Sequence, residues 1–140
     1  MFVVFGATGQ TGSVVADTLL EKKLPVRVVL RSDKAADAWQ AKGADVAFAD
    51  VIDADAITKV LDGAIAVYAM NPPAYQATDM FTVAKNIGAA YVEAIAQSSV
   101  QKVVLLAFFG RLATRYWHRQ HHDNLLFGKH LQRFDDSRRV

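Results

Sequence analysis

Short apolar runs alternate with longer amphipathic segments along residues 1–110 of the chain. The runs are rich in Val, Ile, Leu and Phe without polar alternation, which is typical of parallel strands covered by helices on both faces. They predict strands at residues 2–5, 26–30, 46–48, 65–70 and 103–106. The segments between them have apolar residues at helical spacing and predict helices at residues 11–23, 35–42, 54–61 and 79–97. Because parallel strands are joined by right-handed crossovers, we predict an α/β fold, a doubly wound, Rossmann-like parallel sheet of about five strands with helices on both faces.

Two glycines mark the ends of predicted helices. Gly43 and Gly63 lie just past the second and third helices, where a residue in the left-handed backbone conformation commonly ends a helix. Glycine adopts that conformation without a steric penalty, so both positions support the predicted boundaries.

The end of the chain differs in composition from the rest. Residues 1–110 contain 9 Lys/Arg and 11 Asp/Glu, whereas residues 111–140 contain 7 and 3, so their net charges are −2 and +4. All four histidines also lie in the second segment, which shows no clear strand pattern and only an irregular apolar stripe. We therefore predict a Rossmann-like domain over residues 1–110 and a basic, His-rich tail over residues 111–140 that is helical or disordered.

The composition excludes several classes of protein. The chain has no cysteine, which excludes disulfides, thiolate metal sites and a cysteine nucleophile. Its first residues lack the features of a signal peptide, and no apolar run approaches the roughly 20 residues that cross a bilayer. These observations predict a soluble, cytoplasmic protein without a membrane partner.

The loop after the first predicted strand carries the main chemical signal. Gly6, Gly9 and Gly12 occupy its first, fourth and seventh positions, directly before a predicted helix. Glycine at these positions permits a tight turn, a close approach of the backbone to a pyrophosphate, and packing of the helix on the strand. The helix amides and dipole then face the anion, although three glycines can also simply form a turn. The residues predicted to hold the pyrophosphate of a nicotinamide cofactor are Gly6, Thr8, Gly9, Gln10, Thr11 and Gly12.

The residues after the second predicted strand indicate which nicotinamide cofactor binds. A carboxylate about 20 positions beyond the loop selects NAD, but this chain has Arg31 followed by Ser32. Arg31 can pair with a 2′-phosphate through a bidentate contact, assisted by Ser32 or Lys34. Asp33 is interpreted as the N-cap of the following helix, although it could instead turn inward and favour NAD. We therefore predict NADP, with NAD as the alternative.

Taken together, these residues resemble the NmrA-like group of atypical short-chain dehydrogenases. The resemblance covers roughly residues 1–106 and is carried by GATGQTG at 6–12, VVLR at 28–31, Ala49-Asp50 and LDGA at 61–64. It implies a cofactor along the carboxyl ends of the strands, with Asp50 and Val51 beside the adenine. It also implies that Met70, Asn71 and Pro72 lie under the pyrophosphate and the nicotinamide ribose. Asp50 could alternatively cap a helix, and Pro72 with Pro73 could simply end a strand.

Members of this group include quinone and dye reductases and also redox sensors that bind the dinucleotide without turnover. The resemblance therefore implies an NADP(H)-binding, reductase-like protein that transfers hydride to a quinone-like or other small organic acceptor. The alternative is a non-catalytic dinucleotide sensor that acts through a protein partner. The Tyr-x-x-x-Lys pair of ordinary short-chain dehydrogenases is absent, because none of the four tyrosines has a lysine four positions on. No catalytic residue is therefore predicted.

Relatives of this group run to about twice this length, so the resemblance implies a truncated chain that lacks most of a substrate pocket. Apolar faces left uncovered by such a truncation would favour a homodimer.

The unusual composition of the tail also has an explanation at the level of the gene. Reading residues 115–121 from the second base of each codon permits Gly-Thr-Gly-Thr-Gly-Asn-Ile, a string similar to the family's segment in this region. One hypothesis is thus that residues 111–140 are translated out of frame.

The tail suggests two further functions. Histidines three or four positions apart share a helix face, but no partner carboxylate lies at matching spacing, so we predict no metal site. The basic charge could attract nucleic acid through its phosphates, which gives a nucleic-acid-binding module as a second alternative function. No aromatic platform or motif supports it, and the simpler interpretation is a solvated extension. The histidines concerned are His118, His121, His122 and His130.

Overall fold

The computed structural model of the protein describes residues 1–73, 76–108 and 112–118, with side chains described up to residue 106. The strands in these residues are β1 (Phe2–Phe5), β2 (Val26–Leu30), β3 (Asp45–Phe48), β4 (Ala66–Met70), β5 (Lys102–Phe108) and β6 (Leu112–His118). They form one sheet in the order β3, β2, β1, β4, β5, β6. Strands β1 to β5 are parallel, as predicted, and β6 runs antiparallel to β5.

A helix follows each of the first four strands. The helices are α1 (Gln10–Glu21), α2 (Ala36–Ala41), α3 (Ala54–Val60) and α4 (Met80–Ala96), and a 3-10 turn (Asp33–Ala35) precedes α2. The glycines predicted to end two of them have positive φ angles, +90° at Gly43 and +72° at Gly63. The predicted left-handed conformation at both positions is therefore confirmed.

The two faces of the sheet are covered by different helices. Successive side chains of a strand point to opposite faces, so Val3 and Phe5 of β1 pack with α3 and α4, whereas Val4 packs with α1 and α2. All three side chains are almost fully buried, which explains why β1 shows no polar alternation. The predicted doubly wound, Rossmann-like architecture is confirmed. No helix of the described residues is both long and apolar enough to span a membrane.

Strand β6 was not predicted from the sequence. Residues 111–140 were expected to be helical or disordered, yet Leu112–His118 pairs along its whole length with β5. The segment contains Thr, Tyr and Trp, which favour strands, and the ladder with β5 supplies its backbone hydrogen bonds. A single strand with irregular apolar spacing carries no signal for such a partner. The rest of the predicted tail, residues 119–140, lies outside the described residues.

Candidate functional site

The candidate site lies at the carboxyl edge of the sheet, between β1 and β4. From these two central strands the chain leaves in opposite directions, because β1 leads through α1 to β2 and β4 leads through α4 to β5. Helices α1 and α4 lie on opposite faces of the sheet, an arrangement that in this class of fold leaves a crevice between the helix N-termini. In open α/β sheets such a switch point is where ligands bind.

The glycine loop after β1 is closed around the carbonyl oxygen of Gly6. The Gly9 amide donates a hydrogen bond to this oxygen at 2.9 Å. A Cβ atom at Gly12 would overlap the same oxygen and lie 2.6 Å from the Gly6 carbonyl carbon. Gly6 itself has a φ of +70°, and a Cβ there would overlap the Met70 Sδ atom. Glycine is therefore required at the first and seventh positions of the loop, Gly6 and Gly12, as the sequence predicted.

The N-terminus of α1 is left open by its own sequence. Its N-cap is Gly9, in an extended conformation with φ −88° and ψ 171°, and no side chain caps the helix. Its first turn contains no acidic residue. Thr8, Gln10 and Thr11 are exposed around this turn. The first-turn amides and the positive end of the helix dipole are therefore oriented toward the crevice without a protein acceptor in the described part of the chain.

The N-termini of helices α3 and α4, unlike that of α1, are capped by side chains. The Asp53 carboxylate accepts a hydrogen bond from the Ala56 amide at 3.0 Å and caps α3. The Asp79 carboxylate accepts from the amides of Phe81 and Thr82, both at 3.1 Å, and also from the Thr82 hydroxyl. These hydrogen bonds hold the pKa of Asp79 below its usual value. An anion would meet a carboxylate at either of these termini.

The cationic side chains predicted to select the cofactor follow β2. Arg31 and Lys34 are both exposed at the carboxyl edge of the strand that neighbours β1. Ser32 is the N-cap of the 3-10 turn, and Asp33 is the first residue inside that turn. The predicted N-cap role of Asp33 is therefore wrong, because the chain turns one residue earlier than the helical pattern indicates. Asp33 is exposed rather than turned into the protein.

The residues predicted to lie beside the adenine follow β3. Asp50 is exposed, and its carboxylate accepts a hydrogen bond from the Ile52 amide at 3.3 Å, within the turn that leads to α3. The alternative role of Asp50 as a helix cap is wrong, since Asp53 caps α3. Val51 is half-buried and packs against the core on the α3 side. Both residues lie at the carboxyl edge.

The residues after β4 form the floor of the crevice. Met70 ends the strand, and Asn71 and Pro72 follow it, all three half-buried. The Met70 carbonyl accepts a hydrogen bond from the Tyr91 hydroxyl at 3.2 Å, and the Asn71 amide donates to the Leu106 carbonyl at 3.0 Å. Sequence reasoning missed Tyr91, because a tyrosine on the apolar stripe of a helix looks like any other core residue.

The predicted site residues thus meet at one edge of the sheet. The loop at 6–12, Arg31 and Lys34, Asp50 and Val51, and residues 70–72 follow β1, β2, β3 and β4 in turn. The contacts between these residues and a cofactor remain a prediction. The tail histidines lie outside the residues whose side chains are described, as do all seven basic residues on which the nucleic-acid alternative depends.

A model of the NmrA-like family matches residues 1–124, which is most of the chain. The chain belongs to the NmrA-like family. No curated protein matches this NmrA-like chain in sequence.

Solved structures share the fold of this NmrA-like protein. Triphenylmethane reductase of Citrobacter sp., complexed with NADP(H), superposes with a TM-score of 0.66 at 22% identity, covering 77% of this chain and 37% of that one. The NADPH-dependent quinone oxidoreductase of Escherichia coli, complexed with NADPH, gives 0.59 at 24% identity, with coverages of 75% and 36%. Vestitone reductase from alfalfa gives 0.59 at 19% identity, with coverages of 79% and 38%. This NmrA-like chain therefore spans little more than a third of the length of these structures.

Proposed function

We propose that this protein binds NADP(H) across the carboxyl edge of its sheet and forms the dinucleotide-binding part of a reductase. The open N-terminus of α1, at the crevice between β1 and β4, carries this proposal. A pyrophosphate there receives hydrogen bonds from the first-turn amides and lies at the positive end of the helix dipole. The dipole contributes no more than about 2 kcal/mol, so the amide hydrogen bonds must supply the rest of the phosphate affinity.

The glycine loop supports a close approach of the proposed ligand to the backbone. The absent Cβ atoms of Gly6 and Gly12 let the loop fold tightly around the Gly6 carbonyl, so the phosphate can approach the backbone of residues 9–12. Thr8, Gln10 and Thr11 add polar side chains around it. Asp50 and Val51 would flank the adenine, and Met70, Asn71 and Pro72 would support the nicotinamide half. The bound cofactor supplies a hydride from its nicotinamide ring.

The choice of NADP over NAD depends on charge at the end of β2. Arg31 and Lys34 are exposed cations next to the strand that leads into the loop. A guanidinium binds a 2′-phosphate through paired, charge-assisted hydrogen bonds, which a ribose hydroxyl cannot match. Two of the structures with this fold, the dye reductase and the quinone oxidoreductase, are complexes with NADP(H) or NADPH, which supports the same assignment.

The proposal extends to the substrate that accepts the hydride. The similar structures include reductases of a triphenylmethane dye and of a quinone, both conjugated organic molecules that accept hydride. This likeness supports a quinone-like or other small organic acceptor for this protein as well. The turnover measurement below separates this function from that of a dinucleotide sensor.

Replacing Arg31 with Glu tests the cofactor assignment. The change puts a negative charge beside the 2′-phosphate, so we expect the affinity for NADPH to fall about 10- to 100-fold, as for loss of a charge-assisted hydrogen bond. Affinity for NADH, which has no 2′-phosphate, should change by less than about threefold. Calorimetric titration of both cofactors measures the two effects on the same protein.

Lys59→Glu is the matched control. Lys59 lies in the last turn of α3, at the opposite edge of the sheet, and the substitution makes the same change of net charge. It should leave both affinities unaltered. Equal losses of NADPH affinity in the two variants would contradict a specific 2′-phosphate contact. NADPH oxidation by an added quinone supports the reductase, and tight binding without oxidation supports the sensor.

A further inference from the structure

Tyr91 of α4 contacts the ends of both central strands. Its ring meets the Phe5 ring edge to face, with 5.2 Å between the centroids and 87° between the planes. Its hydroxyl donates to the Met70 carbonyl at 3.2 Å. Phe5 directly precedes Gly6, and Met70 Sδ occupies the space that a Gly6 Cβ would need. One side chain therefore supports the glycine loop and the floor of the crevice together.

The peptide group between Met70 and Asn71 is fixed at both of its polar atoms. Its carbonyl accepts from Tyr91, and its amide donates to the Leu106 carbonyl of β5. The Asn71 side chain adds a longer hydrogen bond, 3.4 Å, to the Ala84 carbonyl of α4. The orientation of this peptide, at the end of β4, therefore depends on contacts from both α4 and β5.

The hydroxyl of Tyr91 contributes more than packing. Phe5 and Tyr91 are 2% and 3% exposed, so a phenylalanine at position 91 would fill the core equally well. Burial raises the pKa of Tyr91 well above its usual value, which keeps the hydroxyl protonated and able to donate. Tyr68 shows the contrast, because its hydroxyl is also buried but has no hydrogen-bond partner among the described residues. Among the described residues, Tyr91 and Tyr68 are thus both buried, but only the Tyr91 hydroxyl has a hydrogen-bond partner at the site.

We propose that Tyr91 is a positioning residue for the nicotinamide half of the cofactor. By holding the Met70–Asn71 peptide, it sets the height of the surface on which the pyrophosphate and nicotinamide ribose rest. The adenosine half, which contacts the ends of β2 and β3, does not depend on this peptide. The inference rests on the proposed function, since it requires that a dinucleotide binds in the crevice.

The test compares Tyr91→Phe with Tyr68→Phe, two identical chemical changes at buried positions. Each variant is titrated with NADPH and with adenosine 2′,5′-bisphosphate, which carries the adenosine, its 2′-phosphate and one 5′-phosphate but has no nicotinamide. Tyr91→Phe should weaken NADPH binding about three- to tenfold, the effect of one lost hydrogen bond. It should change the affinity for the bisphosphate by less than about twofold. Tyr68→Phe should change neither, and both variants should unfold cooperatively.

The ratio of the two affinities separates positioning from a general loss of structure. A destabilised Tyr91→Phe protein would lose both ligands in parallel, and that result would overturn the proposal. Equal NADPH affinities in Tyr91→Phe and Tyr68→Phe would overturn it as well. If the unmodified chain binds neither ligand, the proposed function fails and the inference fails with it. Binding by the unmodified chain with an unchanged ratio in Tyr91→Phe overturns the inference alone.

Discussion

The N-termini of α1 and α4 lie at the same edge of the sheet, but their chemistry is opposite. Helix α1 starts after Gly9, which has no side chain, whereas α4 starts after Asp79, whose carboxylate binds two amides of the first turn. Both helices have the same positive end and the same first-turn amides that lack a partner within the helix. The residue at the N-cap therefore decides whether a helix end is closed by its own carboxylate or left open for an anion.

Helix α3 strengthens this comparison. It is capped by Asp53, so both helices on its face of the sheet begin after an aspartate. Helix α2 has no side-chain cap either, but it continues directly from a 3-10 turn and has six residues. Among the described helices, α1 thus combines an uncapped end, a glycine loop and a position at the switch point.

The largest expected effect is that of Gly12→Ala. The new Cβ would overlap the Gly6 carbonyl oxygen, so either α1 or the loop must move. We expect the free energy of unfolding to fall by about 2–3 kcal/mol, the usual cost of overpacking, and NADPH binding to be lost. Urea denaturation and calorimetry measure the two effects.

Gly9→Ala is the matched control for this loop. Its backbone angles suit any residue, and its Cβ would lie 3.3 Å from the same oxygen, a tight but tolerable contact. It should cost about 1 kcal/mol, because alanine is a poorer N-cap than glycine, and therefore less than Gly12→Ala. Equal destabilisation by the two alanines would show that the close approach at Gly12 is not what shapes the loop.

A smaller effect is expected for Asp79→Ala at the closed terminus. The variant loses the cap of α4, so its free energy of unfolding should fall, while NADPH affinity should stay unchanged because the proposed cofactor site uses the N-terminus of α1 and not this one. The loss should also depend on pH. The pKa of Asp79 is lowered in the folded state, so its carboxylate stabilises the fold above the unfolded pKa of about 4. That stabilisation disappears as the pH falls through the folded pKa.

Denaturation of the wild type and Asp79→Ala between neutral pH and pH 3 measures this dependence. The difference between the two stabilities should narrow toward the acidic end of the range. A difference that does not change with pH would mean that Asp79 acts through something other than its charged form.

Much of the sheet could be predicted because its signals are local. β1 and β2 start and end at the predicted residues, and Gly12 lies where its lack of a Cβ is needed. Partnerships between distant segments could not be predicted in the same way. The role of Tyr91 depends on a carbonyl 21 residues away, and β6 depends on its pairing with β5. Asp33 was misassigned because a 3-10 turn precedes α2, and helical periodicity does not reveal such a turn.

The measurement that most directly tests the central claim is NADPH titration of Gly9→Asp, with Gly9→Asn as the neutral control. An aspartate there would cap α1 as Asp79 caps α4, so the free energy of unfolding should stay within about 1 kcal/mol of the wild type. NADPH affinity should nevertheless fall at least about 100-fold, because a carboxylate then occupies the amides and repels the pyrophosphate. Gly9→Asn should lose less, since it caps without charge. A folded Gly9→Asp protein that binds NADPH as tightly as the wild type would contradict the assignment of this terminus as the cofactor site.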